Sequence, residues 1–283
     1  SGGLCYVIGS WPKERNRLVV EVRVMLPKYH YVPLSFRQEM EPVASFTVPV
    51  GWRKKECTIE KLVHGQVPFY FAANDEYFER AAYYGHWDDG ERYAFFGRAA
   101  LEALPKIDFR PDIIHCHDWH TGLLLMLLNV HPDLAELKKY FRLFSVHNLE
   151  YQGTRPYAAW GEFKGFLDWF PELEALPRET MAPYLDPHAS IDCINPMRAA
   201  IHSADQVTTV SPNYADEICR ADNVAEGFFG GRGLEKDFRE LRIAGRLTGI
   251  TNGIDLGFYD PAVLPISYAP PSRAAGKLRN REA

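Results

Sequence analysis

The sequence predicts an α/β protein built on a Rossmann-like, mostly parallel sheet with helices on both faces. Two short apolar runs, 113–116 and 142–146, are each followed directly by polar residues, HDWH in one case and HNLE in the other. Buried parallel strands have this appearance when their carboxyl ends carry chemistry. Predicted strands also alternate with predicted helices along most of the chain, which favours parallel crossovers. Because ligands of open α/β sheets bind at the carboxyl ends of strands, both polar sequences should border one crevice.

The first elements follow from local patterns. Residues 19–26 alternate between apolar and polar side chains and stop at Pro27, which indicates a strand. Two further strand patterns, 44–50 and 58–63, are separated by the charged stretch 51–56. We expect these two segments to pair as a hairpin that is inserted into the alternating order.

Helices are predicted where apolar residues recur every three or four positions, as they do across 88–104. Ser211 followed by Pro212 places a hydroxyl N-cap before a proline at the first helical position. Residues 151–190 are aromatic, rich in proline and irregular, which indicates an active-site insertion with short helices. The other predicted strands are 67–72, 113–116, 142–146, 206–210 and 247–251, and the other predicted helices are 7–16, 121–129, 196–203 and 212–220.

Composition narrows the possible partners and compartments. The chain has 283 residues with a hydrophobic fraction of 46%, and its net charge of −5 gives no reason to expect nucleic-acid binding. No segment approaches the roughly 20 apolar residues of a membrane helix, and no secretory signal is visible, so we expect no membrane association. The five cysteines are scattered without a CxxC pair, which favours a reducing compartment: the cytoplasm, or a plastid in a plant or alga.

The HCHDWH sequence at 115–120 admits three interpretations. His115, His117 and His120 with Asp118 invite a metal site of the HxHxDH kind, although the residue before the last histidine is tryptophan and no further ligand set follows. The same residues could simply close a strand with hydrogen bonds. They could also bind a sugar or a phosphate, since a carboxylate accepts hydroxyl hydrogen bonds and the adjacent indole covers an apolar sugar face. The residues by themselves leave all three open.

Taken together, the motifs identify a family. In order they read GGL, HCHDWH, VHNLEYQG, NPMRAAI, ADQVTTVSPNYADEI, GGRGLE and GRLTGITNGID. From Gly2 to about Pro261 the chain resembles the N-terminal domain of bacterial glycogen synthases and plant starch synthases, which are retaining glucosyltransferases. The resemblance implies the N-terminal half of a GT-B fold over residues 1–262, lacking its first strand. Residues 263–283 would then be a linker towards a C-terminal nucleotide-sugar-binding domain.

The resemblance also implies a set of site residues and ligands. The catalytic residues would be His147, against the transferred glucose, and Asp118. The substrate-binding residues would be Gly2, Gly3, Tyr84, Trp119, His120, Asn148 and Asn252. The donor would be ADP-glucose and the acceptor the non-reducing end of an α-1,4-glucan such as glycogen or a maltooligosaccharide, with no metal and no other cofactor.

One departure from the family pattern separates two hypotheses. The family loop reads lysine-any-GGL-any-aspartate, and Tyr6 stands at the position of the aspartate. We expect an ADP-glucose-dependent glucan synthase, of which this chain alone would be inactive. The alternative is a catalytically inactive carbohydrate-binding homologue.

Overall fold

Two four-stranded sheets organise residues 20–253, the part of the chain that the computed structural model describes. The first sheet has the order β1-β4-β3-β2, in which β1 pairs parallel with β4 and the other pairings are antiparallel. Its strands are β1 (Val24–Pro27), β2 (Glu41–Val50), β3 (Arg53–His64) and β4 (Val67–Ala73). The predicted hairpin is therefore confirmed as the β2–β3 pair.

The second sheet is parallel throughout and has the order β10-β9-β6-β5. Its strands are β5 (Ile113–His117), β6 (Phe141–Val146), β9 (Gln206–Thr209) and β10 (Leu247–Gly249). A small antiparallel ladder pairs β7 (Arg155–Pro156) with β8 (Cys193–Ile194). Parallel pairing brings the carboxyl ends of β5, β6 and β9 to one edge, as the two polar strand-end sequences predict.

Helices connect most of these strands. They are α1 (Leu34–Glu39), α2 (Asp75–Phe78), α3 (Asp89–Ala103), α4 (Gly122–Val130), α5 (Phe166–Trp169), α6 (Arg178–Met181), α7 (Pro196–Ser203), α8 (Pro212–Glu217) and α9 (Glu235–Ile243). Short 3₁₀ turns cover Trp119–Thr121, Pro132–Leu137, Pro171–Leu173, Ala182–Tyr184 and Val224–Glu226. The α/β class and the irregular insertion at 151–190 are thus confirmed. No helix in the described range has the length and apolar character needed to cross a membrane.

Three element boundaries differ from the sequence prediction for physical reasons. The first strand begins at Val24 rather than residue 19. Val24 lies opposite Phe69 of β4, and the preceding residue of β4, Pro68, has no N–H with which to extend the ladder. The hairpin turn covers only residues 51 and 52, rather than 51–56. Gly51 permits this tight turn because its φ is +59°, and an added Cβ there would lie 2.2 Å from the Asp168 carbonyl oxygen. The last strand ends at Gly249, which touches the start of α8. The predicted helix 7–16 lies outside the described residues.

The core lies around α3 and α4, which contact one another. Nearly every residue of α3 is buried, and so is the run from Gly122 to Leu128 that forms most of α4. Helix α4 also packs against α7 through a very close approach, since a Cβ on Gly122 would lie 2.0 Å from the carbonyl oxygen of Pro196. Helix α4, which follows the end of β5, is therefore held in place by contacts with both α3 and α7.

The close approach at Gly122 makes a stability prediction. Alanine is normally the better helix former by about 1 kcal/mol, and Gly122 has an ordinary helical φ of −64°. We nevertheless expect Gly122→Ala to lower the free energy of unfolding by about 1–3 kcal/mol, because the methyl group must displace the Pro196 main chain. Urea denaturation checks this, with Gly253→Ala as the control, since no atom lies within 4 Å of a Cβ at that position. A variant as stable as the parent would contradict the packing argument.

Candidate active site

The carboxylate of Asp118 joins the carboxyl ends of β5 and β6. Its main-chain N–H donates to the carbonyl of Ser145 at 3.1 Å. In return its Oδ1 accepts from the main-chain N–H groups of His147 at 2.8 Å and Asn148 at 3.3 Å. The two polar sequences therefore meet in space, and Asp118 determines where the residues after β6 lie.

Asp118 occupies an unfavourable environment. Its φ of +54° lies in the left-handed region that side chains other than glycine rarely adopt, and it is only 7% exposed. Burial raises the pKa of its carboxyl to about 6, although the hydrogen bonds from His147 and Asn148 act in the opposite direction. Such local strain is commonly retained at functional sites. The contacts make Asp118 a positioning group for the β6 end, and its direct catalytic role stays a prediction.

Three imidazoles lie side by side at this edge. The rings of His115 and His117 are 4.1 Å apart between centroids, and those of His117 and His147 are 5.3 Å apart. His117 Nδ1 and His147 Nε2 share a hydrogen bond of 3.1 Å. Among the described residues, His147 Nδ1 is buried and has no hydrogen-bond partner. The His117 contact thus leaves Nδ1 as the nitrogen of His147 that a ligand could engage.

The His117–His147 pair is neutral. Burial lowers the pKa of His117 well below its ordinary value, and the neighbouring His115 and His147 lower it further. Burial also lowers the pKa of His147. A hydrogen bond between two neutral imidazoles needs one N–H, so one ring donates and the other accepts. The pairing therefore fixes the orientation of the His147 ring without placing a positive charge in the site.

Hydroxyl groups anchor the other end of this histidine row. His115 Nε2 lies 2.7 Å from Ser145 Oγ, which in turn lies 2.6 Å from Thr208 Oγ1. These contacts run across β5, β6 and β9. Thr209 Oγ1 adds a bond of 3.0 Å to the Val146 carbonyl. The strand ends are cross-linked by side chains as well as by the sheet ladder.

An aromatic surface follows β5. Trp119 and His120 stack at 4.2 Å, and the ring of Tyr93 meets both of them edge-on. Burial lowers the pKa of His120 to about 4, so this imidazole is neutral. Gly153 allows the insertion to approach the indole, since a Cβ there would lie 2.3 Å from the ring of Trp119. The ring of Tyr84 lies 5.9 Å from His120 and is 57% exposed, at the outer side of this surface.

Asp89 holds the loop that presents Tyr84. Its Oδ2 accepts from the main-chain N–H groups of Gly85 at 2.6 Å and His86 at 3.1 Å. Its Oδ1 pairs with Arg92, which is fully buried. This buried ion pair connects the start of α3 to the loop before it. Tyr84 therefore lies on a fixed segment although its own side chain is exposed.

The structure brings together five of the residues expected at the site: Asp118, Trp119, His120, His147 and Tyr84. Asn148 follows His147, and its side chain accepts from the N–H of Glu150 at 2.8 Å. Asn252 falls outside the compact unit formed by residues 22–251, so its place at the site remains a prediction. Gly2, Gly3 and Tyr6 lie outside the described residues.

Two contributors were not among the expected site residues. The sequence leaves His117 as a metal ligand, a strand-closing residue or a sugar or phosphate contact, although its alternation with His115 already places both rings on one face of β5. Nothing in the sequence marks Asp89 as a site residue beyond its position at the start of a predicted helix. Within residues 20–253 no group of three or more histidine, cysteine or carboxylate side chains is arranged to hold a metal ion.

The raised pKa of Asp118 predicts a pH-dependent stability difference. Its folded pKa of about 6 exceeds the reference value of 3.8, so the protonated form stabilises the fold below about pH 4 and this contribution is lost as the pH rises through 6. Asparagine can accept the same two amide hydrogen bonds without ionising. Relative to the parent, we expect Asp118→Asn to gain about 1–3 kcal/mol in free energy of unfolding between pH 4 and pH 7.

Urea denaturation at both pH values measures this difference. Asp133→Asn is the matched control, because its carboxylate is 73% exposed and should show no comparable gain. A difference between Asp118→Asn and the parent that does not change with pH would rule out the burial argument.

Comparison with known proteins agrees with this geometry. The family described as the starch synthase catalytic domain matches residues 1–240. A glycogen synthase from Geobacillus thermodenitrificans is 40% identical over 99% of this chain and 54% of its own length. One from Alkaliphilus metalliredigens is 42% identical over 92% of this chain and 51% of its own length. The chain thus spans about half the length of these relatives.

A solved structure agrees as well. The catalytic domain of starch synthase IV from Arabidopsis thaliana, bound to ADP and acarbose, is 30% identical and covers 94% of this chain and 51% of its own. Its TM-score of 0.74 shows that the two folds agree. By sequence and by fold, this chain belongs to the starch synthase catalytic domain family.

Proposed function

We propose that the protein containing this chain transfers glucose from ADP-glucose to the non-reducing end of an α-1,4-glucan, with retention at the anomeric carbon. Membership of the family supports a glycosyltransferase, and the glycogen synthase relatives support a glucan product. The ADP and acarbose in the plant neighbour support a nucleotide-sugar donor and a carbohydrate acceptor. None of these comparisons favours the inactive carbohydrate-binding alternative.

The observation that supports the proposal most is the buried, unpaired Nδ1 of His147. A buried polar atom without a partner costs roughly 1–3 kcal/mol, so the site gains when a ligand supplies the missing hydrogen bond. A glucose hydroxyl can both donate and accept, and it satisfies either tautomer of the imidazole. His147 is therefore the group that hydrogen-bonds the transferred glucose in this proposal.

The reaction exchanges one bond at the anomeric carbon for another. The bond from C1 to the diphosphate oxygen breaks, and a bond from C1 to the acceptor hydroxyl oxygen forms on the same face. The proton of the acceptor hydroxyl leaves with the departing diphosphate. Positive charge develops on the sugar, and an uncharged His147 does not oppose it, whereas an imidazolium would.

The neighbouring residues orient the sugar and its surroundings. Asp118 keeps the amide groups of His147 and Asn148 in place. The buried indole of Trp119 stacks on His120 and lies against Gly153, so these rings shape the floor of the site and present no open indole face to the sugar. These groups act by positioning, which is a large part of the rate enhancement in bimolecular transfer.

The proposal includes two further expectations. Transfer needs no metal and no other cofactor, because basic side chains and main-chain donors of the complete site would meet the charge of the leaving diphosphate. The protein works in a reducing compartment, the bacterial cytoplasm or a plastid. Among the described residues, Cys57, Cys116, Cys193 and Cys219 are not joined by disulfides, which supports this.

Glucose incorporation tests the proposed reaction. We expect the product of the complete reading frame to transfer labelled glucose from ADP-glucose to glycogen, with equal rates in the presence and absence of EDTA. We expect the 283-residue chain alone to show no incorporation, because the family's second domain supplies most of the nucleotide contacts. Absence of incorporation by the complete protein would contradict the proposed reaction, whereas elongation by the isolated chain would contradict only the expected need for the second domain.

Substitutions in the same assay test the histidine pair. We expect His147→Ala to lower kcat by about 100-fold or more, as the loss of a transition-state hydrogen bond does elsewhere. His117→Leu should lower kcat by about 10-fold with little change in KM, because His147 loses the group that orients it. His117→Asn should restore part of this loss, because its amide can still hydrogen-bond His147 Nε2.

His64→Asn is the control for these substitutions, since His64 lies exposed on β3. Equal losses for His117→Leu and His117→Asn would mean that His117 fills space and does not orient His147.

A further inference from the structure

A second cavity lies away from the histidine row, between the first turn of α3 and the insertion at 151–190. It has a volume of about 230 Å³. Four charged residues line it, the acids Asp88 and Glu91 and the bases Arg155 and Lys164, together with the indole of Trp169. None of these five residues belongs to the proposed glucose site, so the cavity is separate from that site.

Both acids of the cavity are already paired with arginines outside its lining. The two carboxylate oxygens of Asp88 accept from Arg80 at 2.7 and 2.8 Å. Those of Glu91 accept from Arg53 at 2.9 and 2.7 Å, and one also accepts from the hydroxyl of Tyr77 at 2.7 Å. Burial alone would raise the pKa of Glu91, but these bonds lower it, so it stays ionised and neutralised.

The two bases of the cavity have no carboxylate of their own. The guanidinium of Arg155 donates to the Thr154 carbonyl at 2.8 Å, and among the described residues no carboxylate forms an ion pair with it. Lys164 Nζ lies 3.8 Å from Glu91, a long contact to a carboxylate that Arg53 already satisfies. The local charge balance is therefore positive. Burial lowers the pKa of Arg155, and the more distant carboxylate of Asp89 acts in the opposite direction.

The first turn of α3 adds to this positive character and lies beside the buried indole of Trp169. Trp169 is 3% exposed, and its Nε1 is buried without an acceptor among residues 20–253. The first turn of α3 borders the cavity, and its N-cap Asp88 makes no capping hydrogen bond. A Cβ on Gly90 would lie 2.4 Å from an indole ring carbon of Trp169 and 2.9 Å from Cγ of Arg155, so the glycine lets this helix end pack against both side chains. Helix N-termini attract anions through their free N–H groups.

We propose that this cavity binds a phosphate group, either as inorganic phosphate or as the monoester of a small sugar. A phosphate supplies acceptors for the Arg155 guanidinium and the Lys164 ammonium at the same time, with the Trp169 ring in the cavity wall. The exposed rings of Trp87 and Phe163 also line the cavity and suit the carbon face of a sugar attached to the phosphate. The inference does not depend on glucosyl transfer at His147.

Titration of the 283-residue chain with inorganic phosphate and with fructose 6-phosphate tests the site by calorimetry. We expect saturable binding of one phosphate group per chain. Tighter binding of the ester assigns the site to a sugar phosphate, and equal binding assigns it to the phosphate group alone. Absence of binding by both at about 10 mM would overturn the proposal, because that limit lies above the Kd of even weak specific sites.

Variants locate the binding in this cavity. We expect Arg155→Gln to weaken binding by about 10-fold or more and Lys164→Gln by a smaller factor, because charged hydrogen bonds are the strong ones. Lys139→Gln, at an exposed lysine outside the cavity lining, should bind as the parent does. Unchanged affinity in a folded Arg155→Gln variant, judged by circular dichroism, would refute the site.

A measurement on the unaltered chain covers the case in which Arg155→Gln does not fold. The indole N–H resonance of Trp169, assigned by its loss in Trp169→Phe, should shift on addition of phosphate, because the ring lines the cavity that the anion enters. We expect the indole resonance of Trp52, which is 90% exposed and outside the cavity lining, to stay in place. A Trp169 resonance that does not respond to saturating phosphate would overturn the proposal.

Discussion

One carboxylate oxygen of Asp118 accepts hydrogen bonds from the main-chain amides of His147 and Asn148. Parallel strands end at the same edge, but the sheet ladder does not determine how the chain continues beyond its last pair. Asp118, directly after β5, determines the path of the chain after β6. Its φ of +54° shows that the main chain adopts an unfavourable conformation to make these hydrogen bonds. The carboxylate also carries a desolvation cost, visible in its pKa of about 6. A costly contact of this kind is expected where a site must be held in one geometry.

The histidine row builds on this constraint. Asp118 places the main chain of His147, and His117 orients its ring through Nε2. The two contacts come from consecutive residues of β5, so one strand end controls both the position and the orientation of the imidazole. Burial keeps the rings of His117 and His147 neutral. The result is a polar group that is uncharged, preorganised and unpaired at one nitrogen, which is the form suited to a neutral sugar hydroxyl.

The insertion at 151–190 serves two separate surfaces, and glycines set its distance to both. Gly153 admits the main chain to the face of Trp119, and Gly90 on α3 admits Trp169 and Arg155. The insertion therefore covers the aromatic surface at one end and closes the second cavity at the other.

The sequence by itself determined the α/β class, the hairpin, the boundaries of α7 and the presence of His147 and Asp118 at neighbouring strand ends. These features depend on local periodicity and on parallel strands ending at one edge. Only the tertiary structure decided that Asp118 Oδ1 accepts from the amides of His147 and Asn148, and that His117 pairs with His147 across 30 positions. The physical reason is that the alternation of side chains along a strand assigns each residue to one face of the sheet. Its hydrogen-bond partner depends on the register between strands and on which neighbouring groups are buried, and these are set by the tertiary structure.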